Sequence, residues 1–318
     1  MAKPKTSAQN PPIYLPPLPG WVTQNHGKTP ETEVFLSGAS LAMLHMLLAD
    51  PAEVIPTELL RNRLALRATE ACLKLEGRRE SEADIRDAYY LVRAGDDKGP
   101  AGEMYDRWRK MSAIGLKHKD WLARLKTCVP EHVAEVLPEW IDIAMSQRAG
   151  QGKSPMAQAA EVTGLVIAAF PREEASALIC GDLVLALVLG WSHPVPLLGV
   201  HVKRKELLSS GDEVALACHR AATLGAQDAV RLAHDLARRA QRLRTVAPKL
   251  RAKGSEAAVT LFLREDAVLP STMLAPRVQG TSIAMTDRAA RRLCDRLVEL
   301  GVVRELTGRS TFRLYGVA

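Results

Sequence analysis

The stretch Thr286–Gly316, TDRAARRLCDRLVELGVVRELTGRSTFRLYG, decides how the rest of the chain is read. Thr286 is a good helix N-cap, and Asp287 beside it suits the positive end of a helix. Ala289, Ala290, Leu293, Leu297 and Leu300 recur at spacings of three and four, which puts them on one helical stripe. Gly301 follows, where a helix closes in a left-handed cap. Two β-rich runs come next, 302–306 and 310–315, separated by the turn Thr307-Gly308-Arg309. A helix running straight into a hairpin is the second half of a winged helix-turn-helix, a module that usually reads DNA.

The exposed side of this helix carries Arg288, Arg291, Arg292, Asp295 and Glu299. Arg288 and Arg292 fall in its first half, where recognition helices reach base edges and arginine pairs with guanine. Arg309, at the hairpin tip, suits a phosphate. Asp287 with Arg291, and Arg291 with Asp295, are also i,i+4 pairs, so the same face reads as a self-neutralised solvated surface. Winged helices also serve as dimer or docking modules, so the sequence leaves both readings open.

Charge supports the first of them. The net charge of +7 is unevenly distributed: residues 201–254 hold 12 Lys and Arg against 5 Asp and Glu, while residues 1–200 hold 22 against 24. The excess sits next to the expected reader, as in a polyanion-binding end. Its densest part is the helix expected over 226–246, with Arg238, Arg239, Arg242 and Arg244 outside a stripe of Val230, Ala233, Ala237, Ala240 and Leu243.

A chain of 318 residues with few aromatics and little β-branched alternation outside its C-terminus is mainly α. The expected architecture is a multi-helix body of two helical subdomains with a C-terminal winged helix-turn-helix. Residues 1–30, with seven prolines, read as an extended arm strapped on by Tyr14, Leu15, Leu18 and Trp21, its tip 1–9 disordered. Residues 31–150 form the first helical domain, 151–254 the second and 255–318 the winged helix. Within the second, helices are expected over 155–169, 172–190, 211–224 and 226–246, with a break at Gly225. Asp182 lies in the most apolar of these helices, so it is expected to pair with an arginine or face the rim.

Sequence signals for chemistry are weak. Cys180, His193, His201, Cys218 and His219 lack the paired spacing of a structural zinc site. Gly152-Lys153-Ser154 resembles a phosphate loop, but Gln147 stands where the leading glycine belongs. Glu80, Glu82, Asp84, Arg86 and Asp87 read as a salt-bridged, solvated helix face. No nucleophile elbow or dinucleotide loop is present, so no catalytic residue, metal or cofactor is assigned. The scattered cysteines, the short apolar runs and the lack of a signal peptide lead to the expectation of a cytoplasmic protein without a membrane span. The partner expected is double-stranded DNA, with the helical body free to dock a protein.

Four blocks carry a resemblance. They are Arg63-Leu-Ala-Leu-Arg67 with Gly77-Arg-Arg-Glu80 and Ile85-Arg-Asp87; Gly190-Trp-Ser-His-Pro-Val-Pro-Leu-Leu198; Ala247-Pro-Lys-Leu-Arg-Ala-Lys253; and Thr286–Val298 running on to Tyr315. Together they resemble the bacterial domain-of-unknown-function family numbered 1403. The resemblance implies a bacterial protein associated with plasmids or mobile elements, and no catalytic residue. DNA-binding transcription regulator or accessory protein is the first expectation; a protein-interaction scaffold whose winged helix meets no DNA is the alternative.

Overall fold

The computed structural model describes residues 15–24, 29–49, 54–93, 95–146, 153–209, 211–250, 253–309 and 311–318. The chain is mainly helical, and the described strands form one two-stranded sheet. In order, the helices are α1 Gly20–Thr23, α2 Pro30–Leu48, α3 Thr57–Leu75, α4 Glu82–Tyr90, α5 Gly99–Ser112, α6 Trp121–Lys126 and α7 Glu131–Ser146. Then follow α8 Pro155–Ala169, α9 Glu174–Leu189, α10 Leu198–His201, α11 Arg204–Leu207, α12 Asp212–Val246, α13 Ser255–Phe262 and α14 Asp287–Glu299. Strands β1 Val303–Glu305 and β2 Tyr315–Val317 close the chain.

Local chemistry sets most helix starts. Thr29, Ser81, Ser154 and Thr286 each accept a bond from the amide three residues on, satisfying a donor that the first helical turn leaves free. At α4 the bond is reciprocal, because Asp84 accepts from the Ser81 amide at 2.9 Å. Helix α9 ends on Gly190 at φ 71°, the left-handed cap that glycine adopts without strain.

Helix α9 is buried on nearly every side, as its all-round apolar sequence requires. It packs on α8, while α2 runs along α12, and α10 fills the space between α3, α9 and α12. Asp182 lies inside this core, away from the rim, and no arginine among the described residues pairs with it. Its carboxylate instead accepts the amides of Leu197, Leu198 and Gly199 at 3.1, 2.9 and 3.4 Å, capping α10. Burial pushes its pKa up to about 7, against the pull of these bonds.

One expectation fails through the proximity of another segment, and a second holds in part. Helix α12 runs unbroken for 35 residues, where a split at Gly225 was expected. Gly225 is there for contact: a Cβ on it would stand 2.7 Å from the Leu197 carbonyl oxygen and 2.9 Å from its Cα. The proline arm is held by Val22, which the sequence did not single out, buried in α1 with its carbonyl accepting from Gln227 Nε2 at 3.0 Å. Of the other expected straps, Leu15 and Leu18 are partly buried against the core, while Trp21 is exposed and meets Phe35. Tyr14 and residues 1–9, 147–152 and 251–252 lie outside the described residues.

In the C-terminal segment, β1 pairs antiparallel with β2 in the register Val303–Val317, Arg304–Gly316 and Glu305–Tyr315. The second strand was expected over 310–315 but begins at Tyr315. Phe312 has φ 55°, a left-handed conformation that a strand cannot hold, so the hairpin loop is longer than a three-residue turn. On its other edge, β2 receives Val268: the Val268 amide donates to the Tyr315 carbonyl at 2.8 Å, and the reverse bond is 3.0 Å. The short helix expected over 270–275 is a single π-helical turn, Pro270–Leu274. No helix among the described residues is long and apolar enough to cross a membrane.

Candidate nucleic-acid interface

Helix α14 buries Ala290, Leu293 and Leu297 with Cys294, and half-buries Ala289 and Leu300, so the expected stripe is its inner face. Its outer face exposes Arg288, Arg291, Arg292, Asp295, Arg296 and Glu299. Arg291 pairs with Asp287 at 2.7 Å, and Arg296 with Glu299 at 2.9 Å. Arg288 and Arg292 make no hydrogen bond or ion pair with the described residues. A cleft of about 410 Å³ opens between α14, the turn at Pro270 and the hairpin loop, with Arg291, Arg313 and the exposed Phe312 on its walls.

The other arginines fall into two groups. Arg238 and Arg242 on α12 are exposed, and among the described residues Arg238 makes only an i,i+3 pair with Asp235 at 3.4 Å. Arg239, Arg244 and Arg309 instead tie elements together. Arg239 pairs with Asp235 at 2.7 Å and donates to the Val317 carbonyl at 3.5 Å, at the end of β2. Arg244 donates to the Val54 carbonyl at 3.3 Å. Arg309, at the hairpin tip, pairs with Asp87 on α4.

The sequence reading missed the anchor of this segment, the run Arg264-Glu265-Asp266 after α13. Asp266 is fully buried and faces two arginines, Arg86 Nε at 2.6 Å and Arg63 Nε at 3.2 Å. Burial opposes the charge on Arg86, yet Asp266 holds its pKa above the ordinary arginine value. Arg63 also donates to the Val317 carbonyl at 3.1 Å. Glu265 receives Arg109 Nη2 at 2.6 Å, and Arg109 lies over the rings of Tyr89, Tyr90 and Tyr105. Arg264 forks onto Glu58, with bonds of 2.9 and 3.1 Å. Three consecutive residues thus bind α3, α4 and α5.

This corrects in part the reading of α4 as a salt-bridged, solvated face: Asp84 is exposed and Arg86 pairs with Glu82 at 3.1 Å, but Arg86 also points inward to Asp266, and Asp87 holds Arg309. The only sequence signal was that Arg63, Arg86 and Asp87 all stand in the blocks that carry the resemblance; nothing in their spacing names partners some 180 or more residues away.

The remaining candidates are dispersed. His201 pairs with Asp228 at 3.0 Å, and His193 lies in a loop beside Ser192. His219 Nδ1 meets Ser37 Oγ at 2.6 Å, while that hydroxyl donates to the Val34 carbonyl, a cross-link between α2 and α12. Cys180 and Cys218 are buried thiols whose pKa burial pushes up to about 12, and no cluster of three metal-ligating side chains occurs among the described residues. Lys153 pairs with Glu161, and Ser154 caps α8.

A comparison with curated proteins gives no match. A family model described as "Protein of unknown function (DUF1403)" matches residues 6–317. With the match covering nearly the whole sequence, the chain belongs to the DUF1403 family.

Proposed function

We propose that the protein is a DNA-binding regulatory or accessory protein that uses residues 255–318 as a winged helix. The observation that carries this reading is the bridge between Val268 and Tyr315. It sets β2 between Val268 and β1, so the segment runs helix, bridging residue, helical turn, helix, strand, strand, an order that supports reading α14 as a recognition helix. Arg288 and Arg292, uncommitted and outward on α14, are suited to base edges. Arg238 and Arg242 are suited to phosphates.

The test is a fluorescence-anisotropy titration of the full chain with a random duplex at low and high salt. Binding that weakens steeply as salt rises supports the reading. No binding at low salt overturns it. One observation favours a scaffold instead: Arg309 is held by Asp87, and Arg291 and Arg296 are paired on their own helix. A protein that retains no duplex at low salt would be read in that way.

A further inference from the structure

A cavity of about 580 Å³ lies beside Glu58. It is built by the end of α2, the start of α3, the loop after α5 and the loop that follows α9. Its size is in the range of small-molecule sites. Arg61, Lys117 and Glu58 bring charge to it, and His45, Trp191 and His193 bring rings.

The charges do not cancel. Glu58 is the only carboxylate among the described residues of the lining, and both of its oxygens are taken by Arg264. Arg61 is half-buried and makes no hydrogen bond or ion pair with the described residues. Burial brings its pKa down to about 10, with Glu58 only partly opposing, so it keeps its proton at neutral pH. Lys117 is exposed at the rim and has no described partner either. A half-buried guanidinium with no hydrogen-bond partner among the described residues, its neighbour Glu58 being forked onto Arg264, is one that an anion can complete.

The walls are set for an organic body. Trp191 is buried and donates from Nε1 to His45 Nδ1 at 3.0 Å, which fixes the rotation of both rings. His193 is held neutral, its pKa down to about 4 through burial and then the charge of Arg61. A neutral imidazole beside Arg61 adds no competing charge.

We propose that this cavity binds a small organic anion, whose carboxylate or phosphate oxygens take the Arg61 guanidinium and the Lys117 ammonium while Trp191 and the two histidine rings wall its carbon skeleton. A guanidinium fork with a nearby ammonium recognises both head groups. The site is independent of any DNA contact, so it stands or falls apart from the proposed function.

The experiment is isothermal titration calorimetry of the full chain at fixed ionic strength, with inorganic phosphate, benzoate and, as the neutral analogue, benzamide. Saturable binding of phosphate, benzoate or both is expected, with a Kd on the order of 1 mM or tighter, and none of benzamide. Phosphate alone assigns a phosphate head group, and benzoate alone a carboxylate. Arg61→Met and Lys117→Gln should each weaken the anion on the order of tenfold or more. Ligand-free R61M should melt close to the parent, because Arg61 has no hydrogen-bond partner to lose among the described residues; K117Q, at an exposed position, carries the test if R61M does not fold. The proposal is overturned if neither anion saturates below about 10 mM, or if the folded variants bind as the parent does.

Discussion

The guanidinium of Arg309, at the tip of the C-terminal hairpin, is ion-paired with the carboxylate of Asp87 on α4, 222 residues earlier in the chain. An arginine suited to a phosphate is therefore occupied by the protein's own body. On the DNA-binding reading, Asp87→Asn removes the competitor and leaves the wing free. Affinity for random duplex should rise, and the salt slope should steepen by about one, the signature of one more phosphate neutralised. Salt titration of D87N beside the parent checks this; identical slopes would mean that the wing does not face DNA.

The arginines of α14 and α12 should contribute in different ways. Arg288→Ala with Arg292→Ala should cost about 1–3 kcal/mol on a preferred site and little on other sequences. Arg238→Ala with Arg242→Ala should lower affinity for every duplex and make the salt slope shallower by about one for each phosphate no longer neutralised. Arg239→Ala belongs to neither set. It holds Asp235 and the Val317 carbonyl, so its removal should appear first in the melting temperature. Selection from a random duplex pool, followed by salt titration, separates the three. If both pairs of variants select and retain DNA as the parent does, these arginines are ordinary surface.

The elements that could be read from the sequence are those whose causes lie within a turn or two of chain. Helix α14 is legible because Thr286 caps it, Ala290, Leu293 and Leu297 line it and Gly301 ends it. What stayed hidden depends on a distant neighbour. Asp182 could be seen to need a partner, but not that the partner would be three amides of the next turn. The alternating charges of α4 suggested solvent because nothing local shows that Asp266 arrives from another segment. The second strand was set too early because a β-rich composition does not reveal the left-handed Phe312. For the candidate interface, the sequence located the arginines but could not tell the uncommitted ones, Arg288, Arg292 and Arg242, from those that act as ties.

The most sensitive of these long-range interactions is that of Asp266. It is fully buried between Arg63 and Arg86, so its removal leaves two guanidinium groups without their carboxylate. Breaking one side of a buried ion pair costs about 3–5 kcal/mol. Asp266→Ala should show this loss in urea unfolding and expose the segment after α13 to protease. If the midpoint moved by no more than it does for a surface variant, the network would not anchor that segment.

Acid should weaken the fold through its histidines. His193 has a pKa brought down to about 4, by burial and then by Arg61, and His219 is lowered by burial. Their folded values lie below the ordinary value of 6.5, so the unfolded chain takes up protons first. Stability from these groups is therefore complete above pH 6.5 and falls as pH drops from there towards 4. His193→Gln should flatten the slope of stability against pH in that window. A slope equal to the parent's would remove His193 from the account.

Two helical glycines should respond oppositely to the same substitution. Glycine within a helix costs roughly 0.5–1 kcal/mol relative to alanine, so Gly→Ala is stabilising wherever the added methyl has room. Gly164 in α8 has that room, since a Cβ there would meet nothing within 4 Å. Gly225 in α12 does not: its Cβ would stand 2.7 Å from the Leu197 oxygen and 3.0 Å from the Leu197 Cβ. The atoms in the way are largely backbone, and that backbone is fixed, because the Leu197 amide is bound by Asp182. Helix α12 must therefore retreat from the turn before α10, at an overpacking cost of about 1–3 kcal/mol that outweighs the helical gain. Urea unfolding of Gly164→Ala and Gly225→Ala should shift the midpoint up for the first and down for the second. A Gly225→Ala midpoint at or above the parent's would mean that α12 and the Leu197 turn do not touch at this glycine.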